Sequence, residues 1–470
     1  MFFDFHEFEG AMALSAIDGD WSYARLFTSS EEIAAAVRPR SLVFLFVRNV
    51  LSAIAGYVGF LNHGIVPVMM DASIAPDLRM NLMELYRPSY LWLPEELAGD
   101  FAAFAPILHK GSYVLLDTGE QTPYPLHEDL ALLMTTSGST GSPKLVRQSY
   151  DNLKANTESI VQYLDLHEDE RAVTNLPLHY VYGLSVLNTH LAVGASVVVT
   201  EKTLFDRSFW QLMREQEVTS LSGVPYTYAM LKRLHFFRMD LPALRTLTQA
   251  GGKLDPELHA AFADYAAQTG KEFVVMYGAA EATARMGYLP PQYALEKVGA
   301  MGVAIPGGRF ELIDEAGKEI TDTDTVGELV YYGANVTLGY AMSGADLVRG
   351  DERHGRYETG DLAQRDNDGF YTVVGRKRRF LKMFGKRTNL QEVEHILRQH
   401  FGDIDLACAG VDDHLYVFVT QESLMSEIVP FLSAKLGLHH SAFTARCIAE
   451  IPKNASGKTV YRELERYYDV

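Results

Sequence analysis

The residues with the most chemistry to offer run from Thr135 to Lys144, immediately after the apolar run Leu132-Leu133-Met134. Six hydroxyl side chains, two glycines and a lysine share these positions. A polyphosphate suits them, because its oxygens accept hydrogen bonds and carry negative charge. Glycine lets the backbone approach closely. The candidate phosphate ligands are Thr135, Thr136, Ser137, Gly138, Thr140, Gly141 and Lys144. A Walker loop is excluded, since the spacing from its first glycine to Gly-Lys is wrong and Pro143 precedes the lysine. Gly457-Lys458-Thr459 ends correctly, but Pro452 stands where the first glycine belongs. Taken alone, the loop also fits a polar surface turn.

Other groups invite similar chemistry. Thr359-Gly360-Asp361 presents a carboxylate on a glycine turn, able to accept both hydroxyls of a ribose or simply to cap the turn. Tyr277-Gly278-Ala279-Ala280-Glu281 offers a ring to stack on a base and a carboxylate for Mg²⁺. A core tyrosine and a helix-start glutamate fit that stretch equally well. Gly251 and Gly252 expose bare backbone to a flat ring, and Lys458 stands beside Gly457 near the C-terminus.

These residues need elements to position them. Leu42–Val47, Tyr90–Leu93, Tyr113–Leu116, Ala131–Met134, Ser196–Thr200 and Phe273–Met276 read as strands. Leu51–Leu61, Asn152–Leu164, Tyr226–Leu234 and Pro256–Ala267 read as helices between them. Apolar runs without alternation suit strands covered on both faces, so the expected class is α/β with a parallel sheet. Ligands of such sheets collect beyond the C-terminal strand ends, where the loop from Thr135 begins. After Val298 shorter strands and turns suggest a small β-barrel-like subdomain. The basic stretch Arg376-Lys377-Arg378-Arg379 then leads into an α+β tail. The expected domains are 1–375 and 376–470.

At 470 residues, 47% hydrophobic and 22% charged, the chain has ample material for a large core. A net charge of −18 argues against nucleic-acid binding, which needs clustered cations. Cys408 and Cys447 have no zinc-type neighbours and read as reduced packing residues. The apolar region 41–70 is broken by Arg48, Asn49, Asn62 and His63, so no membrane insertion is expected. The N-terminus lacks the basic region of a secretory signal, which points to the cytoplasm.

In this order, the motifs resemble the adenylate-forming superfamily of acyl- and aryl-CoA synthetases, nonribosomal adenylation domains and luciferases. Beyond those above, Gly327-Glu328-Leu329, Gly375-Arg376 through Lys382, Gly385 to Glu392 and Pro452-Lys453 match too. The resemblance spans roughly Ser41 to Leu464. It implies a large N-terminal domain of α/β-layered subdomains with a small β-barrel-like one, hinged at Arg378 to a small mobile α+β C-terminal domain. It further implies that residues 135–144 hold the β- and γ-phosphates of ATP. Tyr277, Gly278, Gly251 and Gly252 would surround adenine, with Asp361 and Arg376 at the ribose. Glu281 would be the Mg²⁺ ligand and Lys458 the catalytic lysine. The implied reaction joins a small carboxylic acid to AMP, releasing pyrophosphate, and then passes the acyl group to coenzyme A or to the phosphopantetheine of an acyl carrier protein. A monomer or homodimer would suffice.

Two departures bear on this resemblance. Ala280 stands where the family usually has a threonine that donates to the α-phosphate. Thr283 lies about 300° further round a helix and cannot simply replace it. Losing that donor would cost on the order of 2–4 kcal/mol if uncompensated. A catalytically weakened nucleotide-binding regulator is therefore the rival reading. The segment Leu178–Leu184 also lacks the aspartate that amino-acid-activating members pair with the substrate ammonium, so the expected acid has no α-amino group. Tyr180 occupies the position of an aromatic or histidine gate. His179 either touches substrate or packs, and Tyr182, Tyr226 and Met286 either line the pocket or belong to the core.

Overall fold

The computed structural model describes residues 2–120, 124–135, 144–376, 379–383, 386–402, 404–411, 413–454, 457 and 459–468. They fall into two compact units. The first takes in Met1–Thr136, Ser142–Phe310 and Tyr331–Tyr357; the second includes Glu311–Val330 and Glu358–Val470.

The larger unit is α/β and contains two mixed sheets where the sequence suggested one parallel sheet. The first sheet runs Gly339–Ala341, Leu145–Ser149, Leu130–Thr135, Val66–Asp71, Leu42–Val47, Tyr90–Pro94, Tyr113–Asp117 and Ala105–Lys110. Its centre, from Leu130–Thr135 to Tyr90–Pro94, is parallel, and its remaining pairings are antiparallel. Strand Leu42–Val47 explains the unalternating sequence. Val43, Leu45 and Val47 enter one core cluster, while Leu42, Phe44 and Phe46 enter another across the sheet. Both faces are covered, so both phases of the two-residue period must be apolar. The helix Leu51–Asn62 is buried from Leu51 through Leu61 and so is apolar on every side. Among the described residues no helix is long and apolar enough to cross a membrane.

The second sheet runs Val303–Ala304, Gly287–Tyr288, Glu272–Tyr277, Thr246–Gln249, Ser220–Gly223, Arg171–Val173, Ser196–Val199, Met12–Ala16 and Gly19–Ser22. Glu272–Tyr277 through Met12–Ala16 pair in parallel. The sequence reading missed Met12–Ala16 altogether. This short strand joins Ser196–Val199, far along the chain, with Leu14 opposite Val197.

Helix Tyr150–Leu164 begins two residues before the expected Asn152 because Ser149 caps it. Asn152 N donates to Ser149 Oγ at 3.0 Å, and Ser149 N donates to Asn152 Oδ1 at 3.0 Å. The Asn152 amide also donates to the carbonyls of Ala334 and Val336, tying this helix start to the segment before Gly339.

In the second unit, Arg309–Ile313, Gly327–Tyr332, Arg356–Arg365 and Tyr371–Arg376 make a four-stranded sheet, the first three strands beginning or ending in the larger unit. Beyond it, Leu406–Val411, His414–Val419 and Phe443–Cys447 form a three-stranded sheet. One face buries Leu406, Cys408, Leu415 and Val417; the other buries Ala407, Ala409, Tyr416 and Phe418. The Arg379 guanidinium, against Glu394 at 2.8 Å, also donates to the Cys408 carbonyl at 2.7 Å. Cys408 is buried as expected, whereas Cys447 is exposed and is not a packing residue. It ends the edge strand Phe443–Cys447.

Candidate active site

In the larger unit the C-terminal ends of parallel strands present the candidate residues. Glu272–Tyr277 delivers Tyr277, which lies 6.2 Å ring to ring from Phe310. Thr246–Gln249 delivers Gly251 at φ +86°, a backbone state that favours glycine. A Cβ on Gly251 would sit 2.7 Å from the Tyr180 hydroxyl, and one on Gly252 would lie 3.2 Å from Pro225.

Gly278 opens the turn that carries Glu281. A Cβ there would fall 1.8 Å from the Ala284 carbonyl oxygen, so the chain can double back only at glycine. The returning backbone meets two asparagine amides. Asn156 Nδ2 and Asn335 Nδ2 each donate to the Arg285 carbonyl at 2.9 Å, Asn335 Nδ2 reaches the Ala282 carbonyl as well, and Arg285 N donates to Asn156 Oδ1. Thr283 takes φ +66°, uncommon for a β-branched residue, and its hydroxyl donates to the Asn335 carbonyl at 2.7 Å. That hydroxyl is committed to the fold. It does not stand in for a threonine at position 280.

Glu281 is held at two levels. Its backbone carbonyl accepts from Thr337 N, Thr337 Oγ1 and Arg353 Nη1 at 3.0, 2.9 and 2.8 Å. Its carboxylate accepts from the Tyr340 hydroxyl at 2.5 Å. Burial, then the Glu281 charge, pushes the Tyr340 phenol well up, so it remains a donor. The Tyr340 ring carries Lys144 Nζ at 3.4 Å and the Arg353 guanidinium at 4.6 Å. Lys144, Glu281 and Tyr340 therefore share one electrostatic cluster. The sequence reading contained the first two but missed Tyr340, Arg353 and Thr337, although Gly339-Tyr340 was a visible signal.

A metal site fits this cluster. One Glu281 oxygen is anchored, and its side chain has no other partner among the described residues. No group of three or more His, Cys, Asp or Glu side chains that could hold an ion occurs among those residues. A hard cation bound here would take its remaining oxygens from phosphate and water, as Mg²⁺ does.

Tyr180 is half-buried, with its phenol pushed up to about 12 by burial. Its ring meets Tyr182 edge-on at 6.4 Å. Tyr182 is buried and bonded to Thr248 Oγ1 at 2.8 Å. Met286 is fully buried, and Tyr226 is 54% exposed. His179 Nε2 lies 3.7 Å from Asp71, and burial lowers its pKa against the opposing pull of that carboxylate.

In the second unit, Asp361 pairs with Arg376 across antiparallel strands, Oδ1 to Nε at 2.9 Å. Asp361 N donates to Thr359 Oγ1 at 3.0 Å, and Thr359 in turn donates to the Leu329 carbonyl. The buried aspartate and exposed arginine thus form one presented pair. Of the phosphate loop only Thr135 and Lys144 lie within the described residues. Thr136, Ser137, Gly138, Thr140, Gly141, the hinge Arg378 and Lys458 lie outside them.

In the larger unit a carboxylate on a glycine turn shares a tyrosine with the lysine that ends the candidate phosphate loop, an arrangement that suits a nucleotide-handling enzyme. Residues 5–341 match the family described as AMP-binding enzyme, and the chain belongs to it. It is 30% identical over 394 residues to sulfoacetate–CoA ligase of Cupriavidus necator, covering 82% of this chain and 75% of that protein. It is 25% identical over 472 residues to 2-succinylbenzoate–CoA ligase of Bacillus pumilus, covering 97% and 94%. Among solved structures it resembles O-succinylbenzoate coenzyme A synthetase from Bacillus subtilis in complex with AMP. The TM-score there is 0.79 at 22% identity, covering 98% and 96%.

Proposed function

We propose that the chain is an ATP-dependent, AMP-forming acid–CoA ligase for a carboxylic acid without an α-amino group. Family membership, with relatives named as CoA ligases, carries this reading. Those names favour coenzyme A over a carrier protein, and they weigh against a non-catalytic regulator. None of the acids they name is an amino acid, in keeping with the carboxylate-free segment Leu178–Leu184. We place the enzyme in the cytoplasm.

In this proposal residues 1–375 bind nucleotide and acid, while 376–470 carry Lys458 and pivot at Arg378. The substrate carboxylate is already ionised and attacks the α-phosphorus without a general base. Positioning and charge stabilisation carry the step. Tyr277, Gly278, Gly251 and Gly252 receive adenine, Asp361 and Arg376 the ribose, and residues 135–144 the departing pyrophosphate. Tyr180 and Tyr182 line the acid's path. Glu281, oriented by Tyr340, would hold Mg²⁺, which when bound neutralises phosphate charge. Lys458 would bridge the reacting carboxylate and phosphate.

Acid-dependent exchange of labelled pyrophosphate into ATP tests the reading. Some acid in a broad aliphatic and aromatic panel should support exchange, and Lys458→Ala should abolish it while ATP still binds. Exchange with no acid, or full exchange in the lysine variant, would defeat the assignment concerned.

A further inference from the structure

The turn that carries Glu281 ends in a charge that the proposed chemistry does not use. Arg285 is 2% exposed, yet no Asp or Glu pairs with it among the described residues. Its guanidinium meets only neutral groups. Nη1 donates to the Tyr163 hydroxyl at 3.0 Å and approaches Met276 Sδ at 2.6 Å, while Nη2 donates to Ser185 Oγ at 3.1 Å. The Tyr182 ring lies 4.5 Å from Cζ. Nε is buried with no hydrogen-bond partner among the described residues.

The neighbours cannot neutralise it. Burial raises the pKa of both Tyr163 and Tyr182, so neither supplies a phenolate. His190 is held neutral, its pKa lowered to about 4 mainly by burial and further by the Arg285 charge. An isolated buried cation is among the costliest things a fold can hold, and natural proteins pair such groups or give them a metal or ligand.

Its location says which ligand. Tyr180 borders Gly251, on the proposed nucleotide side, and its ring contacts Tyr182; the Arg285 guanidinium lies against the same Tyr182 ring. Tyr182 thus links the proposed acid path to the guanidinium, and a buried cation without an anionic partner calls for an anion. We infer that Arg285 is a specificity-determining residue that receives a second anionic group, a carboxylate or sulfonate, at the distal end of a compact acid substrate. The inference rests on the ligase reading and deepens it.

The test uses pyrophosphate exchange with matched short acids, the distal group being carboxylate, sulfonate or an uncharged methyl. The wild-type enzyme should favour at least one anionic series over the methyl series by on the order of 100-fold in kcat/KM, as expected for a desolvated charge pair. Which series wins distinguishes carboxylate from sulfonate. Arg285→Met should bring that ratio close to unity, and Arg285→Lys should restore part of it. Because R285M removes an uncompensated charge, its Tm should not fall, and ATP binding reports that the fold is intact. Equal use of methyl and anionic acids by the wild type would overturn the inference while leaving the ligase standing. A ratio unchanged in R285M, or a marked fall in Tm, would show Arg285 to be a structural brace. No exchange with any acid would remove the ligase reading and this inference with it.

Discussion

Tyr340→Phe isolates the one side-chain contact that orients the Glu281 carboxylate among the described residues. The substitution removes a hydroxyl and keeps the ring, so Lys144 and Arg353 retain the aromatic face they rest on. The Glu281 backbone stays in place, because its carbonyl is held by Thr337 and Arg353. Only the 2.5 Å hydrogen bond to the carboxylate is lost. Such a bond to an ionised acceptor contributes about 1.5–3 kcal/mol. At about 1.4 kcal/mol per tenfold, that corresponds to roughly 10- to 150-fold. Loss of a group that orients a metal ligand typically lowers metal affinity by about 10–100-fold, the same range. The assay is pyrophosphate exchange against Mg²⁺ concentration, where the midpoint for Y340F should rise by that factor with little change in Tm. Tyr340→Ala also forfeits two cation–π contacts, each about 0.5–1 kcal/mol, and should lower Tm as well. A Y340F midpoint within about twofold of wild type, the usual error of additive reasoning, would refute the claim that Tyr340 orients Glu281.

Two further outcomes follow from the same turn and its surroundings. Gly278→Ala should destabilise the protein by about 1–3 kcal/mol or more, since the new Cβ must displace the Ala284 carbonyl; urea unfolding midpoints measure it, and an unchanged midpoint would contradict the geometry. His190, lowered from 6.5 to about 4, binds fewer protons folded than unfolded. Its contribution to stability is complete above pH 6.5 and is lost as pH falls toward about 4, with a slope approaching ~1.4 kcal/mol per pH unit. His190→Leu should flatten that part of the stability profile, and an unaltered slope would show that another group is responsible.

Much of the site was legible because its chemistry is local. Gly278 and Glu281 belong to one turn, and Asp361 follows Gly360 directly, so residue type and spacing announce them. The strand positions were equally legible, since a strand covered on both faces must be apolar at every residue, as Leu42–Val47 is. What could not be read were partners distant in sequence. Tyr340 lies 59 residues from the glutamate it orients, and Met12–Ala16 pairs with a strand far along the chain. The division into two sheets escaped for the same reason, because adjacent strands leave no mark on each other's composition.

The sequence by itself determined which residues suit a nucleotide and where in the chain they lie, because a phosphate, a ribose and a metal each demand particular residue types on particular turns. Only the tertiary structure decided that Thr283 is spent on the Asn335 carbonyl, that Glu281 answers to Tyr340, and that Arg285 is buried among neutral neighbours. Burial and long-range hydrogen bonds decide whether a polar side chain is available, and both arise only when distant segments meet.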